Sequence, residues 1–174
     1  MIKLRFPTKD DITQIEHVGN QKWALDFGFI HYWESKLKKD PQELISFLPQ
    51  MQMGENLPKG HVPCTFFFAF NQEEKIVGRV SIRHRLTDNL KKVGGHIGYA
   101  VVPEHRNQGV ATEILKQSLS WCQDFLNLNQ ILVTCDDENI ASIKTIEKNG
   151  GILEDKIELS KDEPLKRRYW ITIK

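Results

Sequence analysis

"VVPEHRNQGVATEIL", from Val101 to Leu115, decides how this chain is read. Two β-branched residues end an apolar run, Pro103 interrupts it, and a polar turn follows. Gly109 and Ala111 then open a segment with Val110, Ile114, Leu115, Leu119 and Trp121 at helical spacing, which predicts a helix from Gly109 to about Phe125. The first amides of a helix have no acceptor within it and carry the positive end of its dipole. Gly109 and Ala111 leave those amides uncovered, and Arg106 adds a charge suited to phosphate. Two readings follow: an ordinary strand-to-helix turn, or a seat for an anion.

Working outward, "GGHIGYAVV" reads as the strand entering this turn, preceded by strands in "CTFFFAF" and "KIVGRVSIRHRL" with "NQEEK" as the hairpin between them. Towards the N-terminus, "IKLRF" is a short strand. Thr8 with Asp11 resembles a capping box, and apolar residues from Ile12 to Leu25 predict one helix over about 9–26. Asp40-Pro41 opens another helix through "QELISFLPQM". "GENLPKGHVP", from Gly54 to Pro63, is a hinge inside one domain. Towards the C-terminus, "QILVTC" is a buried strand and "NIASIKTIEKNGG" a helix stopped at Gly150-Gly151. "ILEDKIEL" and "KRRYWITI" are the closing strands. The order is one strand, helices, three antiparallel strands, helix, strand, helix and two strands, a mixed α/β chain forming a single domain over residues 1–174.

The chain has 24 Lys and Arg against 23 Asp and Glu, a formal charge of +1. Such balance nominates neither nucleic acid nor an anionic membrane as partner. The N-terminus has no apolar leader, and "TFFFAF" is far shorter than the ~20 residues of a bilayer span. Cys64, Cys122 and Cys135 are odd in number and far apart, which predicts reduced thiols, a cytoplasmic setting and no metal site. Neither G-x-G-x-x-G, G-x-x-x-x-G-K-[ST] nor H-E-x-x-H occurs, so Rossmann, P-loop and zinc-hydrolase readings lack their motifs.

A second turn, "DDENIAS", places Asn139 at the start of a helix with Ser142 three residues on. Alone, Asn139 reads as a cap as readily as a ligand-binding residue. Together, "IGYAVVPEHRNQGVATEIL" and "NIASIKTIEKNGG" resemble the acetyl-CoA signature and the later Asn-x-x-Ser segment of the GNAT superfamily of N-acetyltransferases. The resemblance is strongest from Gly94 to Gly151. It implies a mixed, mostly antiparallel sheet, splayed between the fourth and fifth strands and flanked by helices. It also implies acetyl-CoA as cosubstrate, with no metal. Its pantetheine arm would pair with backbone at Tyr99, Ala100 and Val101. Its pyrophosphate would rest on the turn of Arg106, Asn107, Gln108, Gly109, Val110, Ala111 and Thr112, with Asn139 and Ser142 on the other side.

The implied reaction is acetyl transfer to a primary amine of a small molecule or peptide, by direct attack in a ternary complex. A homodimer is compatible with the resemblance. Family members place a tyrosine proton donor where this chain has Ile146, and some place a glutamate where it has Thr134. Thiolate leaves tolerably at a thiol pKa near ~8.5. A backbone N–H near Val101 can serve the oxyanion. His96, with an ordinary pKa near ~6.5, is the candidate base; the other reading is a hydrogen-bonded strand histidine. Cys135 reads as a packing residue. Trp23, Phe27, Phe29, Tyr32 and Trp33 form either a pocket wall or core. The missing tyrosine and glutamate leave open a non-catalytic acetyl-CoA-binding or sensing protein.

Overall fold

A computed structural model of the chain describes residues 1–27, 29 and 41–173, with the side chains of 25–27 and 41 outside the description. Seven strands and six helices follow one another among the described residues. They are β1 (Lys3–Arg5), α1 (Ile12–Gly19), α2 (Lys22–Phe27), α3 (Pro41–Met53), β2 (Cys64–Phe70), β3 (Ile76–Arg83) and α4 (Asp88–Lys92). After these come β4 (Ile97–Val101), α5 (Val110–Leu126), β5 (Gln130–Asp136), α6 (Ile140–Lys148), β6 (Ile152–Ile157) and β7 (Lys166–Thr172).

The strands form two antiparallel sheets, ordered β1-β2-β3-β4 and β5-β7-β6. The break falls between β4 and β5, where the resemblance implied a splay. "CTFFFAF" is buried on both faces, as a central strand between two helical layers must be. On one face of the first sheet, Val80, Ile82, Ile97 and Val101 pack with Ile114 and Leu115 of α5 and Ile146 of α6. Ile131, Val133 and Tyr169 of the second sheet join them. On the other face, Phe66, Phe68 and Phe70 meet Ile15 and Val18 of α1 and Leu44 and Leu48 of α3. Alternation along β3 and β4 assigns side chains to these two layers.

The sheets touch at one end of their border. The His96 amide donates to the Leu132 carbonyl at 2.7 Å, and the Gly94 amide donates to the Thr134 hydroxyl at 2.9 Å. Gly95 sits between them at φ +59°, and a Cβ there would lie 2.4 Å from the Leu132 carbonyl oxygen. Only glycine permits that approach. Beyond this joint β4 pairs with β3 alone. Thr134 therefore holds the joint.

Two expectations about elements change. The single helix over 9–26 is a 3-10 turn (Lys9–Asp11) followed by α1 and α2, because Gly19-Asn20 ends the first helix early. The Thr8–Asp11 box is present: the Asp11 carboxylate accepts the Thr8 amide at 2.7 Å and its hydroxyl at 3.0 Å. Helix α4 was not anticipated, although Thr87 caps it by accepting the Leu90 amide at 3.2 Å.

Candidate active site

Capping separates α5 from its neighbours. Thr87 caps α4, and at α6 the Asn139 Oδ1 accepts the Ser142 amide at 3.0 Å. Helix α5, the longest in the described structure, starts at Gly109 with no side-chain cap. Its first backbone bond joins the Glu113 amide to the Gly109 carbonyl. Among the described residues, the amides from Asn107 to Thr112 make no hydrogen bond of good geometry within the chain. Uncovered amides at a helix start are donors of the kind an anion accepts from.

The backbone that exposes these amides is itself specialised. Asn107 (φ 59°) and Gly109 (φ 80°) are both left-handed. Around Gly109 no heavy atom lies within 4 Å of where a Cβ would stand. Arg106, Asn107, Gln108 and Gly109 are exposed, whereas Val110 turns into the core. Arg106 braces the turn, its Nε donating to the Val101 carbonyl at 3.2 Å, with its guanidinium 5.9 Å from the Trp23 ring centroid.

Strand β4 leads from the joint to this turn. The Val102 amide donates to Val77, and the Arg83 amide donates to the His96 carbonyl. With the β3–β4 register, alternation puts the backbone groups of Gly98 and Ala100 in the ladder and turns those of Tyr99 and Val101 towards the border with the second sheet. The Tyr99 phenol reaches to 3.5 Å from the Ser142 carbonyl on α6. Burial pushes that phenol's pKa up to about 12, so it stays protonated. Tyr99, Ala100, Val101, Arg106, Asn107, Gln108, Gly109, Val110, Ala111, Thr112, Asn139 and Ser142 thus surround one border, where the two sheets part.

His96 is buried, 7% exposed, and its Nδ1 accepts the Leu132 amide at 2.9 Å. That bond occupies the lone pair on Nδ1 and leaves the hydrogen on Nε2. Burial, reinforced by the Arg83 charge, pushes its pKa down to about 4. A group so placed has no free lone pair for an amine's proton. Burial likewise pushes the Cys135 thiol up to about 11, in keeping with packing. Ile146 is fully buried and presses on Gly151, where a Cβ would stand 2.4 Å from it.

Across β4, on the face away from α5, lies a polar group that the sequence reading passed over. Arg79, Ser81 and Arg83 alternate along β3 and share a face with Gly98. The Arg79 Nη1 and the Ser81 hydroxyl each donate to the Gly98 carbonyl at 3.2 Å, and the Arg79 Nε donates to the Phe29 carbonyl at 3.0 Å. The Arg83 Nη1 donates to Gly94 and Gly95 carbonyls at 2.9 and 3.1 Å. A Cβ on Gly98 would stand 3.2 Å from the Ser81 Oγ and 3.8 Å from the Arg83 Nη1. The signal was present in "GRVSIR", where polar residues alternate inside an otherwise apolar strand.

Of the expected aromatic wall, Phe29 is fully buried, with Trp23 edge-on at 5.1 Å and the Arg79 guanidinium 5.9 Å from its centroid. Phe29 thus belongs to the core beside that polar face. The Phe27 side chain, Tyr32 and Trp33 lie outside the described residues. Among the described residues no helix is long and apolar enough to cross a membrane.

Known proteins share this fold. Residues 2–152 match the family described as "Acetyltransferase (GNAT) domain". A curated N-acetyltransferase, YjdG of Bacillus subtilis, is 30% identical over 82 residues, covering 40% of this chain and 49% of the relative. The chain therefore spans about half the length of that relative. Among solved structures, the ribosomal-protein-S5-alanine acetyltransferase from Vibrio fischeri superposes with TM-score 0.69 at 15% identity, covering 98% of this chain and 92% of that one. The spermidine N-acetyltransferase from Vibrio cholerae, in complex with CoA and spermine, superposes with TM-score 0.65 at 17% identity, covering 98% and 95%. With the family match extending over most of its length and the two-sheet fold shared with these structures, the chain belongs to the GNAT acetyltransferase family.

Proposed function

We propose that this protein is an acetyl-CoA-dependent N-acetyltransferase acting on a primary amine of a small molecule or peptide, by direct attack in a ternary complex. The run of unpartnered amides from Asn107 to Thr112, opened by Gly109, carries the proposal. The fit to the cosubstrate rests on this chemistry, since a pyrophosphate matches consecutive N–H donors that no side chain covers. Arg106 adds positive charge at the edge of that turn. The Tyr99 backbone groups and the Val101 N–H face the border as the free side of a strand, ready to pair with an amide-bearing arm, while the Val101 carbonyl already accepts from Arg106. Asn139, with its Oδ1 engaged at the Ser142 amide, has its Nδ2 left to donate.

Bound acetyl-CoA supplies a thioester whose acyl carbon accepts the amine nitrogen as the carbon–sulfur bond breaks and the electron pair leaves on sulfur. The chain's own part is to bind, orient and exclude water. The Val101 N–H is the donor placed for developing negative charge on oxygen. Ile146 and Thr134 leave the usual acid and base positions empty of titratable groups. We propose His96 as a positioning residue that fixes β5 against β4, in place of the base expected from its strand position. The proton then leaves the amine to solvent. Unpaired Cys64, Cys122 and Cys135 suit a reducing, cytoplasmic setting.

The solved structures named above are a ribosomal-protein-S5-alanine acetyltransferase and a spermidine N-acetyltransferase, so amines of both kinds belong in the test. The protein is incubated with acetyl-CoA and a broad amine panel, following free thiol and product mass together. Amine-dependent thiol release with a matching acetylated product is expected. Binding of acetyl-CoA with no product from any amine would instead indicate a binding or sensing protein.

A further inference from the structure

The interior face of β3 carries two guanidinium groups that no carboxylate among the described residues pairs with. Arg79 and Arg83 stand two pleats apart on one face, with Ser81 between them, and each makes its hydrogen bonds to carbonyl oxygens only. The ion pairs among the described residues lie elsewhere, around Arg5, Lys75, Lys91 and the cations of β6 and β7. Among the described residues, neutral carbonyls satisfy the donors without a carboxylate to compensate the charge, which is costly away from bulk water.

Their surroundings sharpen the point. Phe66 and Phe68 oppose Ser81 and Arg79 on β2, and Phe29 covers Arg79 from the side. Burial pushes the Arg79 guanidinium down to about 10, with the charge on Arg83 acting in the same direction. Neither arginine is sealed: Arg79, Ser81, Arg83 and Gly98 are all half-buried. Gly98, having no side chain, lets the Ser81 hydroxyl and the Arg83 guanidinium lie over β4, where a Cβ would stand 3.2 Å from the Ser81 Oγ. This polar face adjoins the strand that runs on to Tyr99 and Val101, on the face opposite α5.

We propose that the acceptor is a small amine carrying its own anionic group, a carboxylate or a phosphate, seated against the Arg79–Ser81–Arg83 face of β3. This rests on the acetyltransferase reading for the word acceptor, but the anion site itself does not. A guanidinium offers a planar fork to either anion, and Ser81 adds a hydroxyl donor. The same face repels a polyamine, whose charges are all positive. The acceptor class therefore differs from that named for the spermidine enzyme whose fold this chain shares.

Matched pairs of amines test this: common amino acids beside their methyl esters, O-phosphoethanolamine beside ethanolamine, and spermidine. Turnover with acetyl-CoA is read as kcat/KM, and binding is read separately by calorimetry on CoA-loaded protein. A preference of tenfold or more for the anionic member of one pair, in either readout, is expected. The pair that shows it distinguishes carboxylate from phosphate. In Arg79→Gln, which keeps an amide donor for the Gly98 carbonyl, that preference should collapse through KM or Kd. Acetyl-CoA affinity and melting temperature should hold. Discriminating binding without turnover would retain the anion site and overturn the acetyltransferase reading. Equal handling of acid and ester in every pair, a preference for spermidine, or full discrimination in folded Arg79→Gln would overturn the proposal.

Discussion

His96 shows how one hydrogen bond changes a residue's meaning. Its position in "GGHIGYAVV" suggested a base, but its Nδ1 faces the Leu132 amide, and that contact spans 36 positions of chain. No local pattern reveals such a partner. The consequence is measurable as pH-dependent stability. An unfolded chain protonates this histidine near its ordinary 6.5, whereas the folded protein keeps it neutral down to about 4. The unfolded state therefore binds the extra proton between those values, and stability is lost as pH falls through them. His96→Gln offers an uncharged acceptor to the Leu132 amide and removes the titration. The wild-type melting temperature should fall more steeply from pH 6.5 to 4 than the variant's, while kcat at neutral pH stays within a few-fold. A kcat lower by roughly 10²–10⁴-fold, the range for a lost acid or base, would restore the catalytic reading.

At the scale of elements, strands and caps were legible wherever the sequence signal was local. "CTFFFAF", Asp40-Pro41 and Gly150-Gly151 each mark the element they predict. The Gly19-Asn20 break and the Thr87 cap were equally local, yet the apolar spacing on either side of the break hid the first. Asn139 was legible as both cap and ligand, and the structure gives its oxygen to the cap. Its remaining amide hydrogens keep the second role available, and substitution separates the two. Asn139→Ala should cost about 1 kcal/mol through the lost cap. Asn139→Asp keeps an acceptor for the Ser142 amide but loses the donor. Its melting temperature should match wild type, while acetyl-CoA affinity drops roughly three- to tenfold, the size of one neutral hydrogen bond. An Asp variant with unchanged affinity would leave Asn139 as a cap alone.

For the whole molecule, two sheets meet at Gly95, His96 and Leu132 and then part, so that β4 presents a free side next to an uncapped helix. The three antiparallel strands β2, β3 and β4 were legible in sequence, from their apolar runs and the "NQEEK" turn between the first two. The parting of the two sheets came only through family likeness, because it depends on Gly95 lying against the Leu132 carbonyl. The Arg79–Ser81–Arg83 face stayed unread for a related reason: an alternating polar pattern signals solvent unless the opposite layer is known to cover it. The proposed phosphate binding at the head of α5 would join these features into one site, with Gly109 giving access to it. At φ 80° any side chain there carries a backbone cost, which Asn bears more easily than most residues. Gly109→Asn is therefore the control for Gly109→Glu, whose carboxylate would stand in the open space over the amides. Calorimetric titration of acetyl-CoA into wild type and both variants, each shown to be folded, is the most direct measurement. The account predicts that Glu binds at least about tenfold more weakly than Asn, a difference of ~1.4 kcal/mol. Equal affinities in the two folded variants would contradict it.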